Sequence, residues 1–462
     1  MKKTELLSPA GSLKNMEYAF AYGADAVYAG QPRYSLRVRE NEFNRIENLA
    51  RGVQRAHELG KQFYIASNIS PHNDKVRSYL RDMEEVVAMK PDALIMSDPG
   101  IIMLVREKWP DLPIHLSVQA NAVNWATVKF WQKQGLTRVI LSRELSLDEI
   151  EEIKQRCPEM EIEVFVHGAL CIAYSGRCLL SGYMTHRDSN QGACTNSCRW
   201  KYQTHEAQQT DSGEVVPTQA VSHFDPSVQK LSFNESPSAL EEDLSQVSPL
   251  FLLQEQGRPG EFMPAYEDEH GTYIMNSKDL RAVQHVKRLI DIGVESLKIE
   301  GRTKSYYYAA RTAQVYRRAI DDALAGREFN MALMDDLEGM ANRGFTEGFY
   351  RRHLPDEYQN YETGNSNASK QLFVADVVNA DLSNFKLSLE AKNKFSRGDR
   401  LMLLTPKGNL PFVVNRLRSS KNQQEVESAL GSGYRVDIDV PELAVLNLSQ
   451  EDIHKGLLVK DL

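Results

Sequence analysis

Cys171, Cys178, Cys194 and Cys198 fall within 28 residues at the spacing C-x6-C-x15-C-x3-C. Thiolates are soft ligands, and four of them suit zinc or an iron–sulfur cluster. The spacing matches neither a zinc ribbon with two C-x2-C pairs nor a bacterial ferredoxin run, so by itself it leaves the metal open. A radical S-adenosylmethionine site needs C-x3-C-x2-C; Cys194 and Cys198 supply the first pair, but Lys201 stands at the third position. The fifth cysteine, Cys157, precedes a strand that would carry it ~20 Å from the others. An odd number of cysteines in one cluster is a poor disulfide framework and reads better as a metal site.

A second set of chemically able residues comes from strand alternation. Within 114–119 the apolar Ile114, Leu116 and Val118 alternate with His115, Ser117 and Gln119, followed by Asn121. Within 162–167, Ile162, Val164 and Val166 alternate with Glu163, Phe165 and His167. In 296–300, Leu297 and Ile299 oppose Ser296, Lys298 and Glu300. Successive strand side chains point to opposite faces. If helices cover the apolar faces, the polar sets line an interior. The plain alternative is a structural Glu163–Lys298 ion pair and a satisfied core His115.

The elements that must position these residues are strands alternating with helices. Candidate strands are 5–8, 26–29, 63–68, 93–97, 114–119, 138–142 and 162–167, with helical patterns at 13–22, 46–59, 75–89 and 147–156 between them. Beyond the cysteines, 279–292 reads as a helix, 296–300 as an eighth strand and 303–324 as a closing helix. Eight β-α units predict an α/β fold, a (β/α)8 TIM-like barrel over 1–325 with a cysteine-bearing insertion at 171–270 after strand seven. An open doubly wound sheet is the alternative. Within the insertion, 210–241 is rich in Ser, Gln, Glu and Pro and reads as a mobile polar segment. A helical and irregular connector spans 326–370, and 371–462 reads as a small all-β domain, a β-barrel.

In such barrels chemistry sits at the C-terminal strand ends. Those ends carry Gln119, Asn121, Arg143, Glu144, His167, Glu300 and Arg302, a mixture fit to hold a small anion and move a proton.

The run Glu163-Val164-Phe165-Val166-His167-Gly168-Ala169-Leu170-Cys171, followed by Gly176-Arg177-Cys178-Leu179-Leu180-Ser181, meets every specified position of the signature E-x-F-x-x-G-[SA]-[LIVM]-C, four residues, G-x-C-x-[LIVM]-S. The sequence therefore resembles the collagenase-like peptidases of unknown catalytic class. The segments 5–11, 115–121, 191–200 and 296–302 resemble the branch of that family that hydroxylates tRNA. The resemblance covers nearly the whole chain, with 203–260 divergent. It implies a 4Fe–4S cluster on Cys171, Cys178, Cys194 and Cys198, prephenate as cosubstrate, and oxygen-independent formation of 5-hydroxyuridine at the tRNA wobble position.

On that reading, Arg143 and Arg302 are candidates to hold the small dicarboxylate, with Gln119, Asn121, Glu144 and Lys298 around it. His167 and Glu300 are candidates for proton transfer. RNA contacts fall to Arg199, Trp200, Lys201 and Lys304, with the arginines and tyrosines of 303–324 as a further groove. An electron donor or accessory protein is a further expected partner. A peptidase is the competing class, but His57-Glu58 and His205-Glu206 lack the second histidine of H-E-x-x-H, and no G-x-S-x-G elbow is present. A zinc-stabilised RNA-binding protein without catalysis is a third reading.

Composition sets outer bounds. The 462 residues are 42% hydrophobic and 26% charged, which excludes a wholly disordered chain. A net charge of −8 argues against coating nucleic acid through bulk positive charge, though not against a local basic groove. No apolar run is long enough to span a bilayer and the first residues lack a signal-peptide core, so a cytoplasmic location is the expectation.

Overall fold

The computed structural model describes residues 4–36, 41–170, 278–340, 344–351 and 371–461, together with strand backbone at intervals between 202 and 272. Eight parallel strands form its centre: β1 (Glu5–Pro9), β2 (Ala26–Gly30), β3 (Gln62–Ser67), β4 (Ala93–Met96), β5 (Ile114–Leu116), β6 (Arg138–Ile140), β7 (Glu161–Ala169) and β8 (Ser296–Ile299). Each pairs with the next, and β8 pairs with β1, so the sheet closes. The outer layer is α1 (Leu13–Ala21), α2 (Ile46–Glu58), α3 (Asn73–Ala88), α4 (Pro99–Lys108), α5 (Trp125–Lys133), α6 (Leu147–Arg156), α7 (Val286–Ile292) and α8 (Tyr306–Leu324). The expected (β/α)8 barrel is the observed one.

Local chemistry starts these helices, including α4 and α5, which the sequence pattern does not single out. Ser12, Asp98, Asn124, Ser146 and Ser305 cap α1, α4, α5, α6 and α8, each accepting from a first-turn backbone N–H. Ser146 and Glu149 complete a reciprocal capping box. Outward residues such as Leu6, Val27, Leu116 and Leu297 are fully buried beneath the helices.

Three expectations about the strands are corrected. Residues 279–292 do not form one helix: Asp279–Arg281 is a strand antiparallel to the end of β7, and helix α7 begins only at Val286. Leu280, Val283, Val286 and Leu289 carry a helical period and are all buried. β8 pairs with β7 only as far as His167, whose carbonyl accepts from the Glu300 N–H at 2.8 Å, and Asp279–Arg281 takes up the pairing with 167–169 along the end of β7. Strand β5 ends at Leu116, so Gln119 rides on a 3-10 turn, Val118–Ala120, that closes on Asn121 at a positive φ of 51°. Finally, β7 carries a bulge opposite β8: Lys298 pairs with Phe165, but Ile299 pairs with His167. The extra residue reverses the alternation from that point.

The segment 202–265, which has no sustained period, contains an antiparallel four-stranded sheet of Tyr202–Gln209, Val215–Pro217, Phe251–Glu255 and Phe262–Ala265. The C-terminal region is an antiparallel seven-stranded sheet in the order Gly408–Val413, Arg400–Thr405, Leu457–Asp461, Gln371–Asp381, Lys386–Ala391, Arg435–Asp439, Leu417–Ser419. It is docked on the barrel. Leu404, Leu457 and Val459 join the barrel's hydrophobic cluster, Tyr307 stacks on Phe373 at 5.0 Å, and Tyr22 donates to the carbonyls of Leu404 and Lys455, both at 2.9 Å. Asp376 accepts from Tyr306 at 2.8 Å and pairs with Lys14 at 3.1 Å. No helix among the described residues is long and apolar enough to cross a membrane.

Candidate active site at the barrel mouth

Register fixes what faces the lumen. Glu5, Tyr28, Tyr64, His115, Arg138, Glu163 and Lys298 occupy the inward positions of their strands, and they are tied together. Arg138 donates to Glu5 at 2.6 Å, to Glu163 at 3.2 Å and to Glu161 at 3.0 Å. Lys298 donates to the other oxygen of Glu163 at 2.7 Å. Ser296 and Tyr64 donate to Glu5 at 2.7 and 2.6 Å. The Lys298 ammonium also lies 4.3 Å from the Tyr28 ring centre and 5.4 Å from that of Phe165. Glu163 is fully buried and Lys298 is 3% exposed. Burial pushes the Lys298 pKa down and the adjacent Glu163 carboxylate opposes that. His115 sits edge-on to Tyr64 at 4.7 Å; burial holds its pKa well below the usual range, and Arg138 and Lys298 push the same way.

This network is the floor of the barrel. The inward assignment of Glu163 and Lys298 holds, and so does the plain reading that they form a structural ion pair. Lys298 is bound to that floor rather than standing open at the mouth.

Above the floor, Arg143 lies 3.9 Å over the Phe165 ring and donates through Nη1 to the Ala169 carbonyl at 2.7 Å. Ala169 donates its own N–H to Glu300, at 3.4 Å. Two sequence-expected residues thus hold the two sides of one peptide position, two residues before Cys171. Gly168 makes this closeness possible: its φ is 104°, and a Cβ there would lie 2.5 Å from the Glu300 carbonyl oxygen. Arg143 Nε and Gln119 Oε1 are buried without a hydrogen-bond partner among the described residues. Orphaned buried polar atoms at a barrel mouth fit a polar ligand. Glu144 accepts from the Ser142 hydroxyl. Arg302 donates to Ser35 at 2.9 Å and lies 5.6 Å from the Tyr28 ring.

His167 is not in this group. The β7 bulge turns it outward, where it packs against Tyr308 and Tyr316 of α8 and against Phe345, at centroid distances of 5.8, 5.5 and 5.6 Å. Burial drives its pKa down to about 3, so the imidazole is neutral. The proton-transfer role expected of it is withdrawn on this geometry. The tyrosine- and arginine-rich helix α8 is likewise a packing element. Tyr307, Tyr308 and Tyr316 are buried, Arg311 is fully buried and bound to Asp336 at 2.6 Å, and Arg317 pairs with Asp25 at 3.0 Å. Lys304, at its entrance, remains at the surface near the Tyr308 ring.

Cys171, Cys178, Cys194 and Cys198, with Arg199, Trp200 and Lys201, lie outside the described residues. Four thiolates have the donor chemistry for an iron–sulfur cluster, and the Arg143–Ala169–Glu300 contacts lie two residues before the first of them in sequence. Cys157 is a buried free thiol beyond the opposite end of β7, 3.5 Å from the Trp125 carbonyl, and burial raises its pKa.

A closed parallel barrel with its polar site at the C-terminal mouth and a cysteine-bearing excursion after β7 defines a class. The chain belongs to peptidase family U32: that family's model matches residues 11–360, and the model of the Peptidase family U32 C-terminal domain matches 369–453. It is 59% identical over 448 residues to tRNA hydroxylation protein P of Escherichia coli, covering 97% of this chain and 96% of that one. The same identity holds over 445 residues with tRNA hydroxylation protein P of Haemophilus influenzae, covering 96% and 95%. The 23S rRNA 5-hydroxycytidine C2501 synthase of Escherichia coli is 28% identical over 438 residues, covering 92% of this chain and 56% of that one.

Proposed function

We propose that this protein is a tRNA-modifying enzyme that hydroxylates the wobble uridine to 5-hydroxyuridine, without oxygen and with prephenate as cosubstrate. The observation that carries the reading is the 59% identity to tRNA hydroxylation protein P across 97% of the chain, which takes in barrel, cysteine segment and β domain together. A relative that acts on a ribosomal RNA cytidine fits the same class of reaction, hydroxylation of a pyrimidine in RNA.

Cys171, Cys178, Cys194 and Cys198 would hold a 4Fe–4S cluster, which supplies one-electron chemistry when bound. The other tasks fall to side chains at the mouth. Arg143 has a buried Nε without a partner among the described residues, directed by its stacking on Phe165, and takes one carboxylate of the dicarboxylate. Arg302 takes the second, and Gln119, Asn121 and Glu144 complete the rim. Carbon-5 of the uridine must lose a proton when oxygen replaces it. With His167 turned away, Glu300, at the same peptide as Arg143, would accept it. The uridine leaves its stack to reach this point.

Against a peptidase stands the missing H-E-x-x-H and G-x-S-x-G chemistry, and Cys157, outside the cluster, is a buried thiol with a raised pKa and so a poor nucleophile. Nucleoside analysis of total tRNA from cells with and without the gene, and with and without prephenate synthesis, tests the function. Loss of 5-hydroxyuridine in both deletions is expected; purified protein that binds neither tRNA nor prephenate would end the reading. Iron analysis of anaerobically purified protein should show cluster iron lost in Cys171→Ala and retained in Cys157→Ala. Full iron loading after all four clustered cysteines are replaced would refute the ligand assignment.

A further inference from the structure

Beside the lumen lies a second concavity, a cleft of about 640 Å³ between the β1–α1 loop, the stretch from Asn41 to Asn48 and the β8–α8 loop. Its walls are polar. Three cations, Arg45, Arg302 and Lys304, and one carboxylate, Glu42, line it, and the remaining lining is largely asparagine. Asn48 donates to the Glu42 carbonyl at 2.9 Å, which fixes the amide in the wall. Asn44 and Arg45 are exposed, and Arg45 has no ion pair or hydrogen bond to another described side chain. An exposed arginine lining a concave wall, with no carboxylate partner among the described residues, suits an anion.

The cleft and the mouth share one residue. Arg302 lines the cleft, and the same guanidinium lies 5.6 Å from Tyr28, whose ring faces the lumen. The approach of the two loops is built in: a Cβ on Gly11 would lie 2.0 Å from the Arg302 carbonyl oxygen, and Asn15 donates to the Lys304 carbonyl at 2.8 Å.

We propose that this cleft cradles the sugar–phosphate backbone of the single-stranded RNA next to the target nucleotide, while the base itself enters the mouth past Arg302. The inference rests on the tRNA reading above and adds where the strand runs. The two concavities differ in the way this division needs. The mouth, above the covered Phe165 ring, offers the buried Oε1 of Gln119, an acceptor suited to the edge of a base. The cleft offers guanidinium, ammonium and amide groups without an aromatic wall, suited to phosphates and ribose hydroxyls. Its volume is within the ~300–1,000 Å³ range of small-ligand pockets.

The test uses full-length, cluster-loaded protein and unmodified tRNA. Arg45 is exposed and contributes only backbone to the start of α2, so its variants should fold. Arg45→Glu should raise the tRNA Kd about tenfold at ~0.1 M salt, and Arg45→Gln should reduce the slope of log affinity against log salt by about 1. Arg45→Lys should restore most of the affinity. In hydroxylation assays the KM for tRNA should rise while kcat and the KM for prephenate stay fixed. Unchanged tRNA affinity in Arg45→Glu, with wild-type binding intact, overturns the cleft assignment alone. A raised KM for prephenate with an unchanged KM for tRNA makes the cleft a small-anion site and also overturns it. Wild-type protein that binds no tRNA removes the functional reading and the cleft assignment with it.

Discussion

His167 should behave as a buried neutral group whose protonation unfolds the barrel, and its replacement by phenylalanine should flatten the acid limb of stability. The folded imidazole has a pKa of about 3 because burial disfavours its charged form. In the unfolded chain it titrates near 6.5. The folded value is the lower one, so between these values the unfolded state binds the extra proton, and stability falls as pH falls from about 6.5 toward 3. Between pH 7 and pH 5 the loss from this residue comes to about 2 kcal/mol. Phenylalanine keeps the ring contacts with Tyr308, Tyr316 and Phe345. It forgoes only a 3.4 Å approach of Tyr316 to Nδ1, and the Tyr316 hydroxyl still donates to the Val166 carbonyl at 2.6 Å. Urea unfolding of wild type and His167→Phe at pH 5 and pH 7, on identically loaded protein, isolates the difference from the carboxylates common to both. The variant should lose about 2 kcal/mol less than wild type across that interval, and it should retain hydroxylation of tRNA. An unchanged pH dependence, or a variant that folds normally but has lost kcat by orders of magnitude, would refute the outward placement and return His167 to the mouth.

The lumen pair gives a second expectation. Glu163→Ala strands the Lys298 ammonium in a dry interior and should cost about 3–5 kcal/mol, whereas Glu163→Gln combined with Lys298→Met should recover a large part; equal destabilisation of both would contradict the ion-pair assignment. Gly168→Ala imposes a side chain at a φ of 104° and against the Glu300 carbonyl; a loss of about 1–3 kcal/mol with a fall in kcat is expected, and a neutral result would show that the β7 end is looser than described. Asp376→Ala removes the shared partner of Lys14, Lys392 and Tyr306; it should lower stability by about 1–3 kcal/mol and expose the barrel–β domain junction to limited proteolysis, and an unaltered digestion pattern would count against that contact as the latch.

Much of this architecture is legible in the residues because burial imposes period. Leu6, Val27, Ile65, Leu94, Val139 and Leu297 lie in short apolar runs, and each is buried in a barrel strand. The caps at Ser12, Ser146 and Ser305 mark helix starts within a few residues. What the residues hide is what neighbours decide. Nothing local distinguishes a strand with a bulge from one without, so the alternation that correctly turns Glu163 inward is carried one residue too far to His167. The helical period of 279–292 is genuine, yet the unpaired end of β7 claims its first three residues. Arg311 looks like a solvated cation on a basic helix, and only the fold reveals Asp336 beside it. The cleft around Arg45 is invisible in sequence because its walls come from three separate βα loops. Among the cations at and around α8, Lys304 lines the cleft, whereas Arg311 and Arg317 are bound to Asp336 and Asp25.

The depth at which a substrate stops follows from the pairing below it. Every charged side chain of the floor has a partner: Glu5 and Glu163 share Arg138, and Lys298 completes Glu163. A ligand reaching that level would have to break these bonds and leave a buried charge uncompensated, at a cost of several kcal/mol. Phe165, under the Arg143 guanidinium, is the last inward side chain of β7 before the bulge, so the ring and the cation lid the floor together. On the proposed function, chemistry would be confined to the layer above Phe165, where polar atoms of Arg143 and Gln119 are unsatisfied among the described residues. The ion network holds β1, β6, β7 and β8 at fixed separation, which fixes the distance between Arg143 and Glu300 across Ala169. Loosening the floor should then change kcat without touching a group that meets the substrate. Glu163→Gln, which keeps the shape but weakens both ion pairs, should lower kcat more than it raises the KM for either substrate. A Glu163→Gln protein with wild-type kcat would mean that the mouth is positioned by its own loops, independently of the lumen beneath it.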